Sequence, residues 1–315
     1  MQFKDVFNNF ISVKSSILKH NTIVLYKRIY DCHFHFFDNY EIEDLTSKII
    51  EDWIMRMKIN NRNKQRISFE HELTLLKNII NFYNDFREDG KNKIDIIRKK
   101  HCLLCNIKPR KKSIKKELRE SEFKWFLQKL AIFYGRKFEL LAMIQYYCAL
   151  RVSEVVALHY KDFYMDYNNP YMSYIKIERS VVYTHSAKEE TYLQDGFKNG
   201  DIKIIPIFPE LFVYLRNYIE DYKDKFLFIE DEKIPRYNLI KYAYNSSFKR
   251  AGLPYRGTHI LRHGGCSRIF NLSGGNIIVA SQLLGNSEKE TIKTYAHSYN
   301  NTLQALNNNL FNLLK

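Results

Sequence analysis

The order of apolar and polar residues along the chain reads first as helix. Phe69, Leu73, Leu76, Ile80 and Tyr83 recur at steps of three and four, the spacing that lines one face of a helix. Ile49, Ile50, Trp53, Ile54 and Met57 form a second stripe. Leu25, Ile29, Cys32 and Phe36 form a third, with Asn21-Thr22 ahead of it as a capping signal. Strand signals are few here, so residues 1–90 are predicted to be a small helical bundle with the stripes as its core. Residues 91–116 break the pattern. They hold 11 Lys and Arg against the single acid Asp95, with Pro109 punctuating the run, and read as a basic interdomain linker.

Helical spacing returns after Ser121, through Phe123–Leu127 and Leu140–Ile144. A β-rich stretch follows. Ile175, Ile177, Val181, Val182 and Tyr183 lead into a polar loop with Gly196, Asn199 and Gly200, and Ile202, Ile204, Ile205 and Ile207 lead out of it. That is a strand, loop and strand. Helices resume after Pro209. The predicted fold class is therefore mainly α with a small antiparallel β-sheet, with a second domain over residues 117–300. Leu303, Leu306, Leu310 and Leu313 form a last apolar stripe among asparagines, so residues 301–315 are read as a docking helix that needs a partner surface.

Composition bounds what such a chain does. With 45% hydrophobic and 27% charged residues over 315 positions, it is globular rather than disordered. No run approaches the ~18 apolar residues of a membrane span, and Met1–His20 carries no signal-peptide core. A soluble cytoplasmic protein is expected. Five cysteines without framework spacing fit a reducing compartment. His101-Cys102-x-x-Cys105 resembles half a metal site; His33 and His35 could be recruited to it, but nothing in the spacing demands that, and reduced thiols are the preferred reading, with no metal and no cofactor.

Charge adds the partner. Fifty basic residues against 35 acidic ones give +15, which favours a polyanion, nucleic acid before membrane. A compositional bias toward Lys would inflate charge evenly, yet residues 1–116 hold 24 basic and 14 acidic residues, net +10, leaving +5 for the remainder. Lys99, Lys100, Arg110, Lys111 and Lys112 are the linker residues expected to face DNA phosphates.

The candidate chemistry lies between residues 148 and 298. Arg151 opens an apolar helix, with Glu154 one turn on, in Ala149-Leu150-Arg151-Val152-Ser153-Glu154. Lys198 stands in the polar loop, eight residues before Pro206. His259-Ile260-Leu261-Arg262-His263 follows, then Leu284-Gly285-Asn286, and nine residues past Asn286 comes Tyr295. Single elements of this kind mean little among 10 His and 23 Tyr; their order is informative.

This order resembles the tyrosine recombinase family of phage integrases and Xer-type proteins. Its active site runs Arg, hairpin Lys, His-x-x-Arg, His or Trp, then Tyr, which maps onto Arg151, Lys198, His259, Arg262, Asn286 and Tyr295. The resemblance implies a helical core-binding domain before a tyrosine-recombinase catalytic domain. It also implies a tetramer around two duplexes, linked by the C-terminal helix and acting at inverted-repeat sites. Under it, Arg151 and Arg262 clamp the scissile phosphate, since guanidinium forks bind phosphate oxygens bidentately. Tyr295 attacks phosphorus and is joined to the DNA 3′ end, and Lys198 protonates the departing 5′ oxygen. His259 either accepts the tyrosine proton or holds the phosphate. Lys188 and Lys203 compete with Lys198 for the acid, and Tyr299 with Tyr295; only Tyr295 has the family spacing.

Two departures stand out. Asn286 replaces the usual His or Trp by a shorter neutral donor. Gly264-Gly265 follows the His-x-x-Arg motif directly, so either that helix is loosened or another backbone or a DNA strand comes close. Other classes to weigh are a type IB topoisomerase and, because of Asn286, a non-catalytic DNA-binding protein on a decayed recombinase scaffold.

Overall fold

The computed structural model describes residues 1–60, 68–87, 93–106, 118–184, 191–196, 202–284, 288 and 291. They form two compact units, one from residues up to 106 and one from residue 118 onward.

The first unit packs α1 (Phe3–Ser15), α2 (His20–Ile29), α3 (Ser47–Asn60), α4 (Glu70–Phe86) and α5 (Lys99–Leu104). Its core is aromatic. Phe7 stacks on Tyr30 with centroids 4.2 Å apart, and Phe34 meets Trp53 edge-on at 5.5 Å. The stripes on α3 and α4 lie in this core, with Ile49 and Tyr83 at its margin.

The third stripe is corrected. Of its four residues Ile29 is buried and Phe36 packs against the core, but Leu25 and Cys32 are exposed, and Ile23, Tyr30, Phe34 and Phe37 are buried instead. Two faces of this segment have near-helical spacing, and the aromatic one removes more apolar area from water. A π turn at Tyr30–Phe34, then a tight turn at His35–Phe37, carries those rings inward. The capping signal also shifts. α2 starts at His20 after an extended Lys19, so Asn21 and Thr22 lie inside its first turn.

Residues 93–106, read as part of the basic linker, fold onto this unit. Asn84 exchanges two 2.9 Å hydrogen bonds with the backbone of Ile94. His101 and Cys105 are fully buried, and Ile94, Ile96 and Ile97 pack against the core. The dense cations hid this apolar face: Arg98, Lys99 and Lys100 are exposed around it, and Lys100 pairs with Glu51 at 2.5 Å.

The second unit holds α6 (Glu120–Tyr134), α7 (Arg136–Tyr147), α8 (Val152–Val156), α9 (Pro209–Tyr218), α10 (Tyr237–Arg250), α11 (His259–Leu272) and α12 (Ile277–Leu284). The single strand, loop and strand becomes two antiparallel ladders. β1 (Phe163–Tyr164), β2 (Tyr174–Ile177) and β5 (Lys203–Pro206) form one, in that order. β3 (Arg179–Val182) and β4 (Tyr192–Asp195) form the other. In the first, Ile177 opposes Lys203 and Tyr174 opposes Pro206. Phe123 stacks on Tyr146 at 3.8 Å and Phe126 on Phe248 at 4.3 Å, joining α6 to α7 and α10.

Candidate active site

The site is built where α7 ends. Ala149 takes a left-handed φ of 51°, its N–H bonds to the Tyr146 carbonyl, and the Leu150 N–H reaches back to the Gln145 carbonyl. This pair of bonds is the Schellman arrangement, normally supplied by glycine. Holding an alanine there costs on the order of 1 kcal/mol. The turn delivers Arg151 to the start of α8 and aims the Ala149 carbonyl at Arg262, whose Nη1 donates to it at 2.8 Å.

Glu154 lies at the centre. One oxygen accepts from Arg151 Nη1 at 2.8 Å and from Lys203 Nζ at 2.9 Å. The other accepts the Arg151 backbone N–H at 2.8 Å and lies 3.6 Å from Arg262 Nη1. The carboxylate is buried, and burial alone would raise its pKa. Lys203, Arg262 and the Arg151 contacts outweigh that and hold it below the ordinary carboxylate value. Burial lowers the Lys203 ammonium, with Glu154 pulling back and the two arginines adding to the depression. Three cations converge on one carboxylate, so that carboxylate alone cannot neutralise them.

Arg262 is placed by α11. Its Nη2 also donates to the Leu284 carbonyl at the end of α12, 3.1 Å away. α11 runs unbroken through Gly264-Gly265, which excludes the loosened-helix alternative. A Cβ on Gly265 would sit 1.9 Å from the Tyr146 carbonyl oxygen and 3.2 Å from the Ala149 Cα. The approaching backbone is thus the last turn of α7, and Gly265 lets the Arg262 helix lie against the turn that presents Arg151, while Gly264 faces the Tyr146 ring and the Leu118 carbonyl.

His259 begins α11 and is exposed. The residue before it, Thr258, is buried and held from two sides. Its carbonyl accepts from Gln145 Nε2 at 3.1 Å, and its hydroxyl shares a 2.8 Å hydrogen bond with Tyr237. Tyr244 donates to the Gln145 amide oxygen at 3.1 Å. Sequence reasoning missed Gln145, Thr258, Tyr237 and Tyr244. The available signal was Gln145 itself, a polar residue inside the apolar run of α7. The His263 ring centroid is 6.5 Å from that of His259.

The described residues thus bring together Arg151, Glu154, Lys203 and Arg262, with His259 on the helix that carries Arg262. Lys198, Asn286 and Tyr295 lie outside the described residues, as do the rivals Lys188 and Tyr299, the linker cations Arg110, Lys111 and Lys112, and the C-terminal leucine stripe.

The His101-Cys102-x-x-Cys105 segment has a structural occupation. His101 Nδ1 accepts the Arg98 backbone N–H at 2.9 Å, and Nε2 lies 3.2 Å from the Ser47 carbonyl oxygen. Burial lowers the imidazole pKa and pushes the Cys105 thiol up to about 12, so both stay neutral at physiological pH. Among the described residues no group of three His, Cys, Asp or Glu could hold a metal ion, and no helix is long and apolar enough to cross a membrane.

Comparison with known proteins places these features. No curated protein matches the sequence. Among solved structures, the fold is similar to the Tn1549 transposon integrase in complex with transposon right end DNA. Identity is 18%, covering 98% of this chain and 99% of that one, with a TM-score of 0.72. It is similar to the XerH site-specific recombinase bound to a palindromic difH substrate (14% identity, 90% and 79% coverage, TM-score 0.64). A lambda integrase dimer bound to a COC′ core site is similar too (15% identity, 93% and 95% coverage, TM-score 0.61). At such identities the likeness is one of fold. The sequence itself carries the family: residues 2–58 match the phage integrase N-terminal SAM-like domain, and residues 116–302, more than half of the chain, match the phage integrase family profile. The chain therefore belongs to the phage integrase family, the tyrosine-type site-specific DNA recombinases.

Proposed function

We propose that this protein cuts and rejoins duplex DNA at a defined site through a 3′-phosphotyrosyl link to Tyr295. The observation that carries the reading is the convergence of Arg151, Lys203 and Arg262 on the single buried carboxylate of Glu154. A phosphodiester gains negative charge as its phosphorus is attacked, and preorganised cations stabilise that charge most where water is excluded. Arg262 is fixed by two carbonyls and Glu154, while Arg151 is tethered yet 43% exposed, open enough to meet a phosphate from solvent.

In this mechanism Tyr295 attacks phosphorus, and the bond to the 5′ oxygen breaks. Lys198 supplies the proton that oxygen needs. His259, exposed at the start of α11, accepts the tyrosine proton or hydrogen-bonds the phosphate, and Asn286 donates a further hydrogen bond. The phosphotyrosyl ester conserves the bond energy, so the reverse attack by a 5′ hydroxyl reseals a strand without a nucleotide. The partner is DNA. Lys99, Lys100, Arg110, Lys111 and Lys112 contribute phosphate contacts, which makes binding steeply salt-dependent. The substrate is a pair of inverted-repeat sites held by four copies, joined through the helix at 301–315. The protein works in the cytoplasm on the nucleoid, as an integrase of a mobile element.

The test is covalent capture. Purified protein is incubated at low salt with fragments flanking its own gene and with fragmented host DNA, denatured, and the attached DNA sequenced. Adducts at one inverted-repeat site, lost in Tyr295→Phe, are the expected result. Adducts that survive the substitution move the nucleophile elsewhere. Site-specific binding without adducts points to a scaffold that binds only, and relaxation of plasmids lacking any site points to a topoisomerase.

A further inference from the structure

Lys203 enters the site from a different element than the arginines. It stands on β5 opposite Ile177, and its ammonium is hydrogen-bonded to Glu154 Oε1 at 2.9 Å, the oxygen that also accepts from Arg151. Its side chain is 12% exposed, against 43% for Arg151. We propose that Lys203 is a positioning residue that clamps Glu154, so that this one carboxylate holds Arg151 and Arg262 in a fixed orientation, and that it is not the acid that protonates the leaving oxygen. This rests on the recombinase reading of the site.

Two physical arguments support it. A general acid must surrender its proton at each cleavage, and a neutral Lys203 would leave a buried carboxylate without one of its charged partners. Second, sharing decides what the arginines can do. If Glu154 Oε1 had Arg151 alone, the carboxylate would draw that guanidinium inward and neutralise it locally. With Lys203 taking part of the carboxylate's charge, Glu154 orients Arg151 by hydrogen bonds while its positive charge remains available to a phosphate. The strand register that places Lys203 opposite Ile177 therefore sets the electrostatics of the clamp.

The experiment compares two duplexes carrying the site that the protein binds, one with the natural 5′ bridging oxygen at the scissile phosphate and one with sulfur there. Sulfur leaves as a thiolate and needs no proton. Lys203→Arg keeps the ion pair but presents a group that does not give up its proton. It is expected to form adducts within about 3-fold of the wild-type rate on both duplexes. Lys203→Met is expected to lose on the order of 100-fold on both alike, with site binding retained. Lys198→Met is expected to fail on oxygen and recover on sulfur.

A Lys203→Arg protein that is slow on oxygen and restored by sulfur would make Lys203 the acid and overturn the inference. Wild-type rates in Lys203→Met would overturn it too, by showing that Glu154 needs no clamp. Should Lys203→Met not fold, the two Lys203→Arg rates still decide. A wild-type protein without adducts on either duplex removes the recombinase reading, and this inference with it.

Discussion

Two buried carboxylates in the second unit are used in opposite ways. Asp162 faces one cation: Arg179 Nη2 donates to both of its oxygens at 2.6 Å, and the His159 backbone N–H adds a third bond at 2.8 Å. Among the described residues no cation is in excess here, since Glu178 also lies 3.9 Å from Arg179 Nη1, and the pair ties the start of β3 to the chain just before β1. Glu154 instead gathers Arg151, Lys203 and Arg262, from a helix start, a strand and a second helix. A balanced buried pair is a fastener. An excess of cations over one carboxylate is costly unless an anion from outside completes it, and the proposed phosphate site rests on that excess.

The largest expected effect tests this contrast directly. Arg151→Ala removes a half-exposed fork from the crowded carboxylate and should slow adduct formation on the order of 1,000-fold at saturating DNA. Its melting temperature should change little, since Glu154 keeps Lys203 and Arg262. A mild loss of rate would mean that the excess charge serves packing rather than phosphate. Arg179→Met is the counterpart. It strands Asp162 as an unpaired buried charge and should lower the unfolding free energy by about 3–5 kcal/mol in urea titrations. The adduct rate per folded molecule should stay within about 3-fold of the wild type. If both variants lost rate alike, the two carboxylates would belong to one machine and the contrast would be broken.

The same division explains what the sequence made legible. The Arg151–Glu154 pair was readable because it is local, a helix start with an acid one turn on. Ile50, Trp53, Leu73 and Leu76 were readable because a single apolar period had no rival. At Leu25–Phe37 two periods competed, and only packing against Phe3, Phe7 and Trp53 decides between them. Lys203 appeared in the sequence merely as a rival acid, because its partner is 49 residues away and strand register brings them together. Gly264-Gly265 announced a close approach without saying whose, and the answer lies in α7.

A smaller effect follows from protonation. Glu154 is held below its ordinary value of 4.5, so its folded form resists protonation more than the unfolded chain does. Its contribution is then fully present above that value and is lost only as pH falls through the lower folded pKa. Wild type and Glu154→Gln should therefore differ in melting temperature by a constant amount from pH 7 down to about 4.5 and converge below it. Convergence already near neutrality would mean that burial outweighs the three cations.

The smallest effect concerns Asn286, which the proposed mechanism makes a neutral hydrogen-bond donor where the sequence resemblance expects His or Trp. Were charge at this position limiting, Asn286→His would raise the adduct rate steeply, and more so at low pH where the imidazole is protonated. With charge already supplied around Glu154, one donor replaces another, and the gain should stay below about 10-fold and vary little between pH 6 and pH 8. A steep gain confined to low pH would mean that the arginines and Lys203 do not neutralise the phosphate by themselves. The excess over Glu154 would then be incomplete until a further cation arrives.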